Sequence, residues 1–292
     1  MAAAALVAVL AATPLAAEAQ SRDARVYLTV TDSGGRTLPL TAADVTIAED
    51  GRAREVLRVE KASEPLQIAL LVDDSQAAQT AISDIRLALK QFVTKVLDAS
   101  PDTQIALISF GERPAILTDY TNSRAQLERG ISRVFAREGS GAYMLEAIVS
   151  ATRGIAKRPA TRSHIVVVGT EGVEFSNDPY ARVLDELAGS GATLWALTLT
   201  APGRADQTDE VRNRDMTLGR GTAESGGRHD QLLANSSLPV RMNALADTLL
   251  SQYAVTYGRP DTLVPPKKID VKVSTKGARV LAPVYAPLPR KQ

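Results

Sequence analysis

The chain has 292 residues, 45% of them apolar and 23% charged, with a formal net charge of +1 from 34 basic and 33 acidic side chains. That length holds one large domain or two modest ones, and the even charge leaves no basic face of the kind nucleic-acid binding needs. With no cysteine and only two histidines, disulfides, thiolate nucleophiles, cysteine-ligated metals and a histidine-rich metal centre are excluded.

The chain opens on "MAAAALVAVLAATPLAAEAQ". The apolar run from Ala2 to Leu15 is shorter and weaker than the roughly 20 strongly apolar residues of a membrane span. Ala17-Glu18-Ala19 puts small residues where a signal peptidase requires them. Residues 1–19 therefore read as an export leader, although the usual basic n-region is missing, and the alternatives are a retained anchor or a cytosolic leader. The expected location is periplasmic or extracellular, with no transmembrane span beyond the leader.

From Arg25 to Arg58 the pattern is β. "RVYLTVTD" alternates apolar and polar residues, "SGGRTLP" is turn chemistry, and "DVTIAEDGRAREVLRVE" reads as two strands around an Asp-Gly turn. From about Pro65 the character changes to alternating strands and helices. "LQIALLVDD" is a continuous apolar strand of the kind a buried parallel sheet requires. Gln79 to Leu97 has helical periodicity, with Ile82, Ile85, Leu89, Phe92, Val93 and Val96 on one stripe. "TQIALISFG", "SHIVVVGTEG" and "ATLWALTL" read as further strands. Helices are expected over Ser123–Phe135, Tyr143–Ala156, "PYARVLDELAGSG", Asp209–Glu224 and Leu238–Gln252, with "YAVTYG" as the last strand of this segment. After Pro265-Pro266, "KIDVKVSTKGARVLAPVYAP" alternates again.

The fold class is therefore α/β: a doubly wound, mainly parallel sheet inserted into a small antiparallel β-sandwich built from both chain ends. The expected divisions are 20–63 and 261–292 for the sandwich and 64–260 for the inserted domain. Ligands on such sheets sit at the C-terminal strand ends, where Asp73 and Glu171 both fall. His164 and His229 are expected to be structural, and Trp195 to lie in the core. "GRGTAESGG" lacks dinucleotide-fingerprint spacing, "GSGAY" lacks the Gly-Lys-Ser/Thr of a phosphate loop, and no G-x-S-x-G elbow exists. Enzymatic activity is not expected.

The segments "VTDSGGRTLPLTAADVTIAEDGRAREV", "IALLVDDS", "GAYMLEAI", "IVVVGTEG" and "AESGGR…LADTLLSQYAVTYGRP" resemble, in order, the bacterial exported VWFA-related proteins of acidobacterial type, built around a von Willebrand factor A domain. The resemblance implies a metal-ion-dependent adhesion site, in which one loop supplies Asp-x-Ser-x-Ser, a second a threonine and a third an aspartate. Magnesium takes about six oxygens near 2.1 Å, and such an ion grips a carboxylate on the partner. Here Asp73 and Ser75 match the first two loop positions. Ala77 stands in place of the second serine, Ala142 in place of the threonine, and Glu171 in place of the aspartate.

Two of three hydroxyl ligands are thus methyl groups, and the site is expected to be degenerate. No metal cofactor is expected, calcium or magnesium being the ion if one binds. On this reading Asp73 accepts backbone N–H bonds, Ser75 bonds locally, and Asp74 and Glu171 face solvent. Recognition of another protein or a surface polymer is assigned to the top-face loops, with Asp73, Asp74, Ser75, Tyr143 and Glu171 as candidate binding residues. Tyr143 is expected exposed, as an anchor. The alternatives are a metal-dependent adhesin and an envelope scaffold that docks through its sandwich.

Overall fold

The computed structural model describes residues 21–158, 162–200 and 208–287. Thirteen strands and seven α-helices are described. The chain starts with β1 (Ser21–Thr31), β2 (Val45–Glu49), β3 (Arg52–Arg54) and β4 (Val56–Lys61). The α/β segment follows: β5 (Leu66–Val72), α1 (Ile82–Ala99), β6 (Gln104–Ser109), β7 (Ala115–Thr121), α2 (Arg124–Ser132), α3 (Met144–Ala156), β8 (Arg162–Thr170), α4 (Tyr180–Ser190), β9 (Thr193–Leu199), α5 (Asp209–Met216), α6 (Thr222–Ser225), β10 (His229–Leu232) and α7 (Leu238–Leu250). The chain closes with β11 (Tyr253–Pro260), β12 (Ile269–Val273) and β13 (Arg279–Leu281).

The large sheet runs β10-β9-β8-β5-β6-β7 and is parallel except for its antiparallel edge strand β7. Alternation along each strand divides its side chains between two cores. Ile68, Leu70, Val72, Val166 and Trp195 pack under α1 and α7, while Ala69, Leu71, Ile165, Val167 and Ala196 pack under α3 and α4. Because both faces are covered, every residue of β5 and β8 is buried, which is why these strands read as unbroken apolar runs.

The two chain ends form a sandwich, as the sequence pattern suggested. One sheet is β13-β1-β11-β4, the other β12-β2-β3. They enclose a core that includes Val26, Leu28, Val30, Ile47, Val255, Tyr257 and Ile269. The Asp50-Gly51 turn between β2 and β3 has positive φ at both residues (47° and 78°), the geometry of the tight hairpin that this dipeptide favours.

One strand sits elsewhere than the sequence pattern places it. "YAVTYG" belongs to β11, which does not join the parallel sheet. It pairs antiparallel with β1, from Ser21 opposite Pro260 to Leu28 opposite Tyr253, and with β4 on its other side. Its residues are buried on both faces as far as Tyr257, so it lacks the alternation of a sandwich strand and imitates a parallel one. The buried Arg162, at the start of β8, fastens sandwich to sheet. Its guanidinium donates to the carbonyls of Glu64 (2.8 Å) and Leu249 (2.6 Å) and lies 5.5 Å from the Tyr27 ring.

Candidate functional site

In the large sheet the chain leaves β5 toward β6 on one side and returns to β8 on the other. The crevice outside a switch of this kind is where open α/β sheets bind ligands. Asp73 follows β5 directly, and Glu171 follows β8. The sequence placed both at this edge correctly.

Asp73 is fully buried. Its Oδ1 accepts from the Ser75 amide (2.8 Å), and its Oδ2 accepts from the Thr170 amide (3.0 Å) and from Thr170 Oγ1 (2.5 Å). The carboxylate thus ties the β5 loop to the end of β8, as expected of a residue that caps its loop through backbone N–H groups.

Asp74 departs from expectation. It is buried rather than solvent-facing. The Gly111 amide donates to its Oδ1 (2.6 Å), Arg137 Nε donates to its Oδ2 (2.9 Å), and the Arg137 amide donates to its carbonyl (2.9 Å). The cause is tertiary: the loop after β6 and the loop after α2 fold over it. Hydrogen bonding to Asp74 raises the already high pKa of Arg137. Gly111 lies so close to the Asp74–Ser75 peptide that a Cβ there would stand 2.5 Å from the carbonyl carbon of Asp74. A side chain at that position would push the loops apart.

The remaining residues singled out from the sequence divide. Ser75 is buried, but its Oγ has no hydrogen-bond partner, so the local bond expected of it is not made. Ala77 is exposed. Ala142 is buried and bridges to Glu174, its N–H donating to Val173 O (2.8 Å) and its carbonyl accepting from the Phe175 amide (2.7 Å). Glu171 is half-buried, not simply exposed, because β10 runs beside it and Gln231 Nε2 donates to its Oε1 (3.2 Å).

The sequence reading missed Glu174. This carboxylate is buried, and its Oε1 accepts from the Met144 amide (3.0 Å) at the start of α3 and from Ser176 Oγ (2.5 Å). Ser176 Oγ in turn accepts from the Leu145 amide (3.0 Å). The two side chains therefore occupy the N–H groups that a helix start leaves free. Those bonds and the nearby Arg214 pull the acidity toward the ionised form. Burial outweighs them, and Glu174 is pushed up to about 7. Its Oε2 is buried with no partner. A signal existed in "EGVEFSND": an acid and a serine two residues apart, matching two adjacent amides.

Glu174 anchors a loop whose neighbouring side chains point outward. Val173 is 61% exposed and Phe175 46%. Tyr143, expected exposed, is half-buried because its ring lies 6.0 Å from that of Phe175. The rim thus carries an apolar cluster within a few residues of Glu171. Charged groups flank it, including Arg137, which also pairs with Glu112 (3.2 Å).

Both histidines lie in the large sheet. His164 is buried, accepts from Trp195 Nε1 (3.3 Å), and is held down at about 3 by burial. His229 opens β10 and bonds Thr198 Oγ1 (2.8 Å). Among the described residues there is no group of three His, Cys, Asp or Glu side chains that could hold a metal. No described helix is long and apolar enough to cross a membrane.

Comparison with known proteins agrees with this geometry. Residues 68–173 match the von Willebrand factor type A domain. The sequence has no significant match among curated proteins. Among solved structures, a von Willebrand factor type A protein from Catenulispora acidiphila superposes with a TM-score of 0.52 at 12% identity, covering 94% of this chain and 76% of that one. Proximal thread matrix protein 1 from the mussel byssus superposes with a TM-score of 0.50 at 13% identity, covering 65% of this chain and 49% of that one. At such identities the likeness is one of fold. Residues 68–173 thus match a von Willebrand factor type A domain, and the superpositions show the same fold.

Proposed function

We propose that this protein is a non-catalytic, exported binding module that holds another protein or a surface polymer through the loops at the C-terminal ends of β5 and β8, without a bridging cation. The observation that carries this reading is the donor set around Asp73. Its carboxylate already accepts three hydrogen bonds within the protein. Methyl groups stand at Ala77 and Ala142, and Glu171 is engaged by Gln231. An ion that seeks about six oxygens would find one protein hydroxyl, that of Ser75, and otherwise water. The donor set does not fit such an ion.

Recognition then falls to direct contacts. The exposed Val173 and Phe175, with Tyr143 behind them, form the kind of apolar centre around which interface energy concentrates. Charged side chains at the rim suit a surface of about 800 Å² per partner.

One observation favours a cation-dependent reading: the Ser75 hydroxyl is buried and has no hydrogen-bond partner. Calcium, with longer and more tolerant coordination, is the ion to test beside magnesium and manganese. Calorimetry decides between the two readings. Submillimolar binding that disappears in Asp73→Ala would refute the cation-free reading. The variant Ala77→Ser, Ala142→Thr, Glu171→Asp serves as the positive control, and its binding should exceed that of the parent. With the protein as bait in envelope extracts, capture should survive a chelator and be lost in Val173→Glu/Phe175→Glu.

A further inference from the structure

The loop between β11 and β12 reads "DTLVPPKK". At its tip Leu263 is 105% exposed and Val264 75%. Among the described residues, no other two consecutive large apolar side chains are both exposed. The tip is not slack. Thr262 Oγ1 donates to the Val264 carbonyl (2.8 Å), and Pro265 and Pro266 restrict the backbone that follows. Exposing two such residues on a stiffened tip is unfavourable in water relative to burying them. The arrangement makes sense if something apolar receives them.

The surroundings say what kind of surface that is. Lys267 and Lys268 follow the prolines, and both are exposed. The first and last described segments, near Ser21 and Pro287, lie beside this loop's base. β1 begins at Ser21, opposite Pro260, and in the sequence it is preceded by the apolar run Ala2–Leu15. At the other terminus, the Ala286 amide donates to the Lys267 carbonyl and Arg259 Nη1 donates to the Pro287 carbonyl (2.8 Å). Arg290 and Lys291 follow closely in the sequence. The acidic residues nearby include Asp261, the exposed Asp270, Glu224, which feels the charge of Lys268, and Asp50, which accepts from the amides of Lys267 (3.1 Å) and Lys268 (3.0 Å).

We infer that this end of the sandwich docks on an anionic bilayer, with Leu263 and Val264 inserted among the acyl chains and Lys267 and Lys268 at the level of the phosphates. Two apolar side chains beside two ammonium groups match the two layers of a lipid surface, apolar beneath and negative above. A protein partner would have to supply the same pair of features. The inference is independent of the reading of the β5 and β8 loops and assigns the sandwich a role of its own.

The test is co-sedimentation of the full chain with phosphatidylcholine vesicles, with and without phosphatidylglycerol. Binding should be stronger to the anionic vesicles. Leu263→Asp/Val264→Asp should weaken it by about tenfold or more, and Lys267→Glu/Lys268→Glu by about fivefold or more per residue on anionic vesicles alone. Any contribution of the N-terminal run is common to all these proteins and cancels in the comparison. Undiminished binding by Leu263→Asp/Val264→Asp overturns the inference, as does binding indifferent to lipid charge. A protein dimer that this variant dissociates, with no vesicle binding by the parent, also overturns it and assigns the loop to a second copy of the chain.

Discussion

The buried carboxylate of Glu174 makes stability depend on pH in a direction opposite to that of most paired acids. Its ordinary value is 4.5, and burial lifts it to about 7 in the folded protein. The folded state therefore holds this proton more tightly than the unfolded chain does. Glu174 favours folding most below pH 4.5; the advantage is lost as pH rises through about 7, and the curve flattens above. A shift of this size corresponds to about 3 kcal/mol between the two limits. Glu174→Gln keeps an acceptor for the Met144 amide and Ser176 but cannot ionise. The free-energy difference between variant and parent should therefore change by about 3 kcal/mol from pH 4.5 to pH 8, in favour of the variant at the higher pH. All other titrations are common to both proteins and cancel. Urea unfolding followed by the fluorescence of Trp195, the chain's one tryptophan, measures this directly. Its neighbour His164, held near 3, stays neutral throughout the range. A difference between variant and parent that stays constant across the series would refute the reasoning, because Glu174 would then titrate alike in both states.

Removing the Arg137 side chain strands Asp74 without its cation, so Arg137→Ala should lower stability by about 1–3 kcal/mol in denaturant titrations; adding Asp74→Asn should recover part of the loss. Gly111→Ala drives a methyl into the Asp74–Ser75 peptide and should cost about 1–3 kcal/mol, whereas the same change at the uncrowded Gly189 should leave the unfolding midpoint nearly unmoved. Arg162→Met leaves the carbonyls of Glu64 and Leu249 without a donor at the junction of sandwich and sheet. It should destabilise by about 2–5 kcal/mol, and proteolysis should then cut first near residues 62–65.

The fold was legible because its two sheet types write different patterns. β5 and β8 are covered by helices on both faces and read as apolar runs; β1 and β2 face a single core and alternate. β11 defeated the same logic. Ala254 and Thr256, on its outer face, are buried as Tyr253 and Val255 are on its inner one, and a strand covered on both sides looks alike in either sheet. The edge strands β7 and β10 were missed for the opposite reason. "AILTDYT" is half-exposed with two register irregularities, and "HDQL" is four mainly polar residues; neither has enough apolar periodicity to rise above a loop.

The site was legible only as far as local chemistry reaches. Two adjacent aspartates at a strand end look equivalent in sequence, and the alternation of an extended chain sends them to opposite sides. Asp73 turns to Thr170, which lies 97 positions away, and Asp74 to Gly111 and Arg137, which lie 37 and 63 away. Which of the two faces water is decided by those distant loops, so no reading of "VDDSQ" alone could have assigned Asp74 to the interior. The alanines at 77 and 142 are different. A methyl group at 77 or 142 lacks lone pairs whatever surrounds it, so it can be read directly that neither side chain offers an oxygen. What could not be read is how the neighbouring loop is braced. Glu174 and Ser176 take up the amides at the start of α3, and that bracing turns Val173 and Phe175 outward. Here the loops after β5, β6, α2 and β8 are cross-linked by protein groups, and Val173 and Phe175 stand exposed among them.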